Sequence, residues 1–259
     1  MKFELLKLHV MLLADGGITE RKRTFKIYLT NKSEVLQEIF KKCAQKLFGV
    51  KHFIIDTSRG TPQIIFHSTN AAKELLKLTP TYRTAIYPNR KFPPAKLTKE
   101  VFNLPLRKQK ELLRLIFSLE GSISIAFQKR KGRTQILPRV KLGCKHPLLR
   151  KQLFKWLRKL GFQPTEEKEG IYLRKLEDIK KFAKEIRFVN GVKIGRKARF
   201  FQGIEKNQLL FAILWLIKMN KDSLMFDIGK KEIITLIKKL THGEGEANPL
   251  KAPSVRIEG

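Results

Sequence analysis

Cysteine is almost missing: Cys43 and Cys144 are the only two in 259 residues. That excludes a disulfide framework and a cysteine-rich metal centre, and fits a reducing compartment. Acidic residues are scarce as well, 23 against 55 lysines and arginines, for a formal net charge of +32. A surface of that sign repels basic partners and draws polyanions. Nucleic acid is the expected partner, because phosphate neutralisation with counterion release supplies most of such affinity; an anionic membrane surface is the rival. Long apolar runs are lacking too. The longest uncharged one, residues 209–217, falls far short of the ~20 residues of a membrane span, so no membrane association is expected. The N-terminus carries Lys2, Glu4 and Lys7 and no small-residue cleavage site, which argues against a secretory signal. Cytoplasmic residence beside the nucleoid is the expectation. Tryptophan is limited to Trp156 and Trp215, both in apolar helical stripes and therefore expected in the core.

What is present is a repeated oddity. Residues 8–17 read Leu-His-Val-Met-Leu-Leu-Ala-Asp-Gly-Gly, an apolar helical run closed by Asp15 and glycine. Residues 112–122 repeat the design with Glu120 and Gly121. A carboxylate at a helix C-terminus faces the negative end of the helix dipole. Two such placements point to a purpose for the acids, with the glycines expected as ordinary helix stops.

Around these runs the chain reads twice as helix, strand, strand, helix, strand, strand, helix. In the first copy, helices are predicted over residues 3–14, 33–48 and 70–78. Strands are predicted within 18–30, as a hairpin, and at 52–57 and 63–68. In the second, helices are predicted over 107–120, 147–160 and 176–186, with strands at 122–128, 135–142, 162–165 and 171–174. Leu29 to Lys32 aligns with Leu142 to Lys145, and Ile64 to Phe66 with Ile171 to Leu173, each before a helix. Internal duplication follows. The expected organisation is a first repeat over residues 1–78, a proline-bearing linker over 79–106, and a second repeat over 107–189. A helical extension follows over 190–240, with helices at 206–219 and 230–240, and then a loose tail over 241–259.

The duplicated unit with its acid-glycine ending resembles the LAGLIDADG homing endonucleases, in particular the single-chain archaeal intron-encoded type, over roughly residues 3–220. The resemblance implies an α+β fold of two pseudo-twofold-related αββαββα repeats. Each repeat would carry a curved, four-stranded antiparallel sheet, with C-terminal helices added. It implies a monomer that cuts a long asymmetric double-stranded DNA site across the minor groove, leaving short 3′ overhangs. Asp15 and Glu120 would be metal ligands for Mg²⁺ or Mn²⁺, Lys32 and Lys145 active-site basics, and Asn31 a polar group ordering water or metal. The alternative is a non-cleaving relative, an intron-RNA maturase or DNA-binding regulator. It is motivated by Leu115 and Leu119, which are bulky where the two motif helices would cross and are expected to push them apart or rotate them.

Strand alternation supplies candidate DNA contacts independently. Thr24, Lys26, Tyr28 and Thr30 share one face, as do Ser122, Ser124 and Gln128, and Arg139 and Lys141. Such ribbons can read base edges in the major groove. The cluster at 129–133, with Arg130 and Arg133, is expected as a mobile phosphate-binding loop. Cys144 is expected as a small buried residue, His9 as packed or surface-borne, and His146 as local turn chemistry.

Overall fold

Hydrophobic periodicity changes from 3.6 to 2 at Gly16 and again at Gly121, and the chain changes from helix to strand at those two residues. The computed structural model describes residues 2–242 except Lys22, Arg59, Arg196, Lys197 and Arg199. Most of the expected tail, from residue 243, lies outside them.

The first repeat runs α1 (Phe3–Asp15), β1 (Gly16–Arg21), β2 (Thr24–Thr30), α2 (Glu34–Phe48), β3 (Ile54–Asp56), β4 (Gln63–His67) and α3 (Thr69–Leu76). The second runs α4 (Leu106–Glu120), β5 (Gly121–Arg130), β6 (Arg133–Gly143), α5 (Pro147–Lys159), β7 (Thr165–Glu167), β8 (Gly170–Leu173) and α6 (Leu176–Glu185). After them come α7 (Lys206–Met219), β9 (Met225–Phe226) and α8 (Lys230–His242), so the last helix extends into what the sequence suggested was tail.

Both sheets are antiparallel and share a topology, β1-β2-β4-β3 and β5-β6-β8-β7. The register is shared as well. Leu29 pairs with Gly16 on one side and Ile64 on the other, just as Leu142 pairs with Gly121 and Ile171. The duplication is therefore structural down to single residues. The second sheet departs from the expected four strands: β9 adds a fifth, pairing with β6.

α1 is buried nearly all round, with Leu6, Leu8, His9, Val10, Met11, Leu12 and Leu13 inside. A helix apolar on every side has to lie at the centre, and α1 packs against α4 there. The linker, residues 79–106, is packed into the core. Apart from a 3-10 helix at Lys99–Asn103 they lack regular structure, yet Tyr82, Ala95, Leu97 and Val101 are buried in the shared core. His9 ties this segment down: Nδ1 pairs with the Tyr82 hydroxyl at 2.9 Å, and Nε2 accepts from the Thr98 amide at 3.3 Å. Burial holds the imidazole neutral, its pKa pushed down to about 3.

Gly16 and Gly121 are not left-handed helix stops. Their φ angles, −132° and −93°, are those of extended chain. Glycine is required by crowding. A Cβ would lie 2.5 Å from the Tyr28 carbonyl oxygen at Gly16 and 2.4 Å from the Phe117 carbonyl oxygen at Gly121. The helix turns directly into a strand, leaving no room for a side chain at the corner.

The basic cluster at 129–133 is likewise not a loop. The strands continue to Arg130 and from Arg133, joined by Lys131 and Gly132 at φ 47° and 77°. Two consecutive positive φ values give the two-residue hairpin turn that matches strand twist. Pro138 sits within β6 without breaking it. The Ile136 amide donates away from β5, to the Leu224 carbonyl, and residue 138 faces the same side, in the gap between β9 and β8. No ladder bond is lost there. Trp156 is in the core as expected, while Trp215 is half-buried. The His146 side chain caps α5, accepting from the Leu149 amide.

Candidate active site and nucleic-acid interface

The C-termini of α1 and α4 carry Asp15 and Glu120 to the junction of the two sheets. Asp15 accepts a 2.7 Å hydrogen bond from Asn31 Nδ2, and the Asn31 Oδ1 accepts from the Ser33 amide, fixing the amide's orientation. Burial raises the Asp15 carboxyl above its ordinary range, against the Asn31 bond and the Lys206 charge, which lower it. Glu120 is raised by burial first and by Asp15 second, and lowered by Lys206. Its side chain is exposed by surface area yet densely surrounded. The floor of a concave cleft gives that combination: water touches the group but cannot fully solvate it. The cleft is an opening of 390 Å³ lined by Leu13, Ala14, Ile116, Glu120, Gly143 and Cys144, among others. Leu115 is buried and Leu119 packs against the core, and the charge of Asp15 still reaches Glu120. The leucines do not isolate the acids.

Lys206, the first residue of α7, is not among the candidate residues that the sequence pattern singles out. It is only 8% exposed, and its Nζ donates to the Ser118 carbonyl at 2.8 Å and the Gly121 carbonyl at 2.6 Å, around the end of α4. Burial lowers its pKa to about 8, while Asp15 and Glu120 hold it up. One signal could have revealed it. A lysine opening a helix that runs on into the apolar stretch 209–217 puts positive charge at the positive end of the dipole, the mirror image of the acid-ended helices.

Lys32 and Lys145 are exposed; Lys145 lines the cleft and lies 3.4 Å from Glu169. The charge acting on both acids is that of Lys206. Cys144 occupies the place matching Asn31 but does not copy its role. Its half-buried thiol lies 3.6 Å from the His146 carbonyl, and burial raises its pKa to about 11, so it stays protonated. The centre is thus asymmetric, with an amide beside Asp15, a thiol on the Glu120 side, and one lysine whose charge acts on both acids.

The donors fit a hard divalent cation. Two carboxylates lie close enough for one to raise the other's pKa, a repulsion that a cation relieves. Mg²⁺ is commonly held by one or two carboxylates together with substrate phosphates. Among the described residues no cluster of three or more His, Cys, Asp and Glu forms a ligand set.

Each sheet turns a polar face away from the core. On the first, Thr24, Lys26, Tyr28 and Thr30 are joined through strand pairing by His67, opposite Lys26, and Gln63, whose Nε2 donates to Thr30 Oγ1 at 3.0 Å. On the second, Ser122 faces Lys141 and Ser124 faces Arg139, whose Nε donates to Ser124 Oγ at 3.0 Å. Gln128 faces Gln135, and Arg130 faces Arg133. Tyr172, not anticipated from the sequence, anchors this face. Arg174, Lys141 and Arg139 lie 4.5, 5.5 and 6.0 Å from its ring centre.

No protein-family model and no curated protein matches the sequence. Solved structures do match. The LAGLIDADG meganuclease I-AabMI bound to uncleaved DNA aligns over 93% of this chain and 99% of its own, with 16% identity and a TM-score of 0.53. The chain has the LAGLIDADG homing-endonuclease fold. A lysine-to-alanine mutant of I-SmaMI aligns over 91% of this chain and 97% of its own, at 13% identity and a TM-score of 0.51. I-DmoI in complex with DNA and Mn aligns over 71% of this chain and 97% of its own, at 16% identity and a TM-score of 0.47. Within that fold α1 and α4 are the paired central helices, and they end on Asp15 and Glu120.

Proposed function

We propose that this protein is a site-specific double-strand DNA endonuclease of the homing type. The observation that carries this reading is the meeting of Asp15, Glu120 and Lys206 at the seam between two sheets with basic outer faces. Asp15 and Glu120 would hold Mg²⁺ or Mn²⁺. When bound, the cation would polarise the scissile phosphates and make water a better nucleophile. The chain's own groups do the rest. Asn31 holds the Asp15 carboxylate in place. Lys206 keeps a positive charge beside both acids and the developing charge on phosphate. Lys32 and Lys145, both exposed, neutralise phosphates flanking the cut. The two sheets lie in successive major grooves, placing the acids over the minor groove between them. Phosphates of opposite strands approach each other across that ~6 Å groove with a 3′ stagger, so paired cuts leave short 3′ overhangs. One chain supplies both halves, so the protein acts as a monomer, in the cytoplasm beside its DNA.

The second reading is a non-cleaving binder of DNA or intron RNA. Lys206 favours it, because its ammonium already offsets part of the charge a metal would neutralise. One experiment separates the two readings. Duplexes retained by the protein from a randomised library are incubated with Mg²⁺, with Mn²⁺ or with EDTA. Metal-dependent cutting of both strands near the centre of an enriched site is expected. Tight, salt-sensitive binding with no cutting in either metal would overturn the endonuclease reading. Stronger retention of structured intron RNA than of any duplex would assign the maturase role.

A further inference from the structure

The two hairpins differ in length. β5 and β6 have 10 and 11 residues, against 6 and 7 for β1 and β2. At roughly 3.3 Å per residue, the second hairpin projects about 13 Å further. An isolated two-stranded ribbon is marginally stable in water, and β8 pairs with β6 only from Val140 to Gly143. The distal part is held instead by the C-terminal extension. Thr134 pairs with Phe226 and Gln135 with Met225, and the Ile136 amide donates to the Leu224 carbonyl at 2.9 Å. Arg133 pairs with Asp227 at 2.7 Å, and Lys230 lies 5.4 Å from the Phe127 ring centre. Phe226 is buried where it meets the arm.

The outer face of the arm continues the face formed by Ser122, Ser124, Arg139 and Lys141. Beyond Arg139 it carries Ala126 opposite an exposed Leu137, then Gln128 opposite Gln135, then Arg130 opposite Arg133. Small apolar groups suit thymine methyls, amides suit adenine, and guanidiniums suit guanine or phosphate.

We propose that residues 205–242 brace this arm, and that the braced arm makes the two half-sites of the DNA unequal in length. The half-site read by the second repeat is longer than the other by up to about four base pairs, at 3.4 Å per pair. Gln128, Arg130 and Gln135 determine the outermost contacts. This rests on the DNA-site reading above, but not on cleavage.

Hydroxyl-radical footprinting of the full-length protein on an enriched duplex tests it, with Ca²⁺ present. Protection is expected to extend three to four base pairs further on one side of the centre. Arg130→Ala should shorten only that side and reduce the slope of log K against log salt by about 1. Phe226→Ala should shorten the same side by loosening the brace. Asp227→Asn, at an exposed position, gives a milder form of that change in case Phe226→Ala fails to fold. Equal protection on both sides would overturn the proposal, as would Arg130→Ala weakening protection evenly along the site. If no duplex is enriched at all, the DNA-site reading fails first, and the asymmetric site with it.

Discussion

Replacing Lys206 by methionine keeps most of the packed aliphatic stem and removes the ammonium. Burial has taken the lysine from its ordinary 10.5 to about 8. At 1.36 kcal/mol per unit, keeping it charged at pH 7 costs about 3 kcal/mol relative to a solvated lysine. Methionine relieves that cost but leaves the Ser118 and Gly121 carbonyls without their donor, a loss of roughly 1–3 kcal/mol each if no water replaces it. The two effects nearly offset, and the net change at pH 7 should stay within about 2–3 kcal/mol. For a chain of this size that is a melting shift of less than about 12 °C. The pH dependence has a definite sign. A lysine with a depressed folded pKa contributes stability that is full above 10.5 and is lost as pH falls through about 8. The variant should therefore compare more favourably with the wild type at pH 7 than at pH 10. Single-turnover cutting of an enriched duplex should fall by about 10²–10³, the usual loss when a group stabilising developing charge is removed. Calorimetry at both pH values and gel kinetics give the two readouts. Unaltered cutting would refute the site role. A melting loss above 15 °C at every pH would make Lys206 a structural charge.

Two other substitutions test the local geometry. In Gly121→Ala the new Cβ meets the Phe117 carbonyl oxygen at 2.4 Å. Such crowding costs about 1–3 kcal/mol, so thermal unfolding should move down by roughly 2–12 °C, and an unchanged melting point would contradict the helix-to-strand corner. Asn31→Ala removes the bond that favours the ionised Asp15. The Asp15 carboxyl should rise further, shifting the acid limb of the Mg²⁺-dependent pH–rate profile to higher pH; an unmoved or lowered limb would count against Asn31 as its positioning partner.

Much of the fold is legible in local pattern. The alignment of Leu29 with Leu142 and Ile64 with Ile171 comes from the place of each segment just before a helix, and the sheets pair them in the same register. The two acids are legible because each breaks a local rule of helix electrostatics. The burial of residues 79–106 is not legible, because it depends on partners far along the chain, such as His9, and not on periodicity. The hairpin tip misleads because a basic run resembles a solvated loop unless the Lys131-Gly132 turn is weighed first. Lys206 lies far from Glu120 in sequence and is one lysine among 55 basic residues. Only the tertiary packing of α7 against the second repeat places it beside the acids.

The most direct measurement is single-turnover cleavage of an enriched duplex in saturating Mg²⁺ by the wild type, Asp15→Asn, Glu120→Gln and the double variant. If the acids share one centre, each single variant should lose at least about 10³ in rate, and the double variant little more, as groups acting as a unit are non-additive. Cleavage within tenfold of wild type in either single variant would contradict a shared centre.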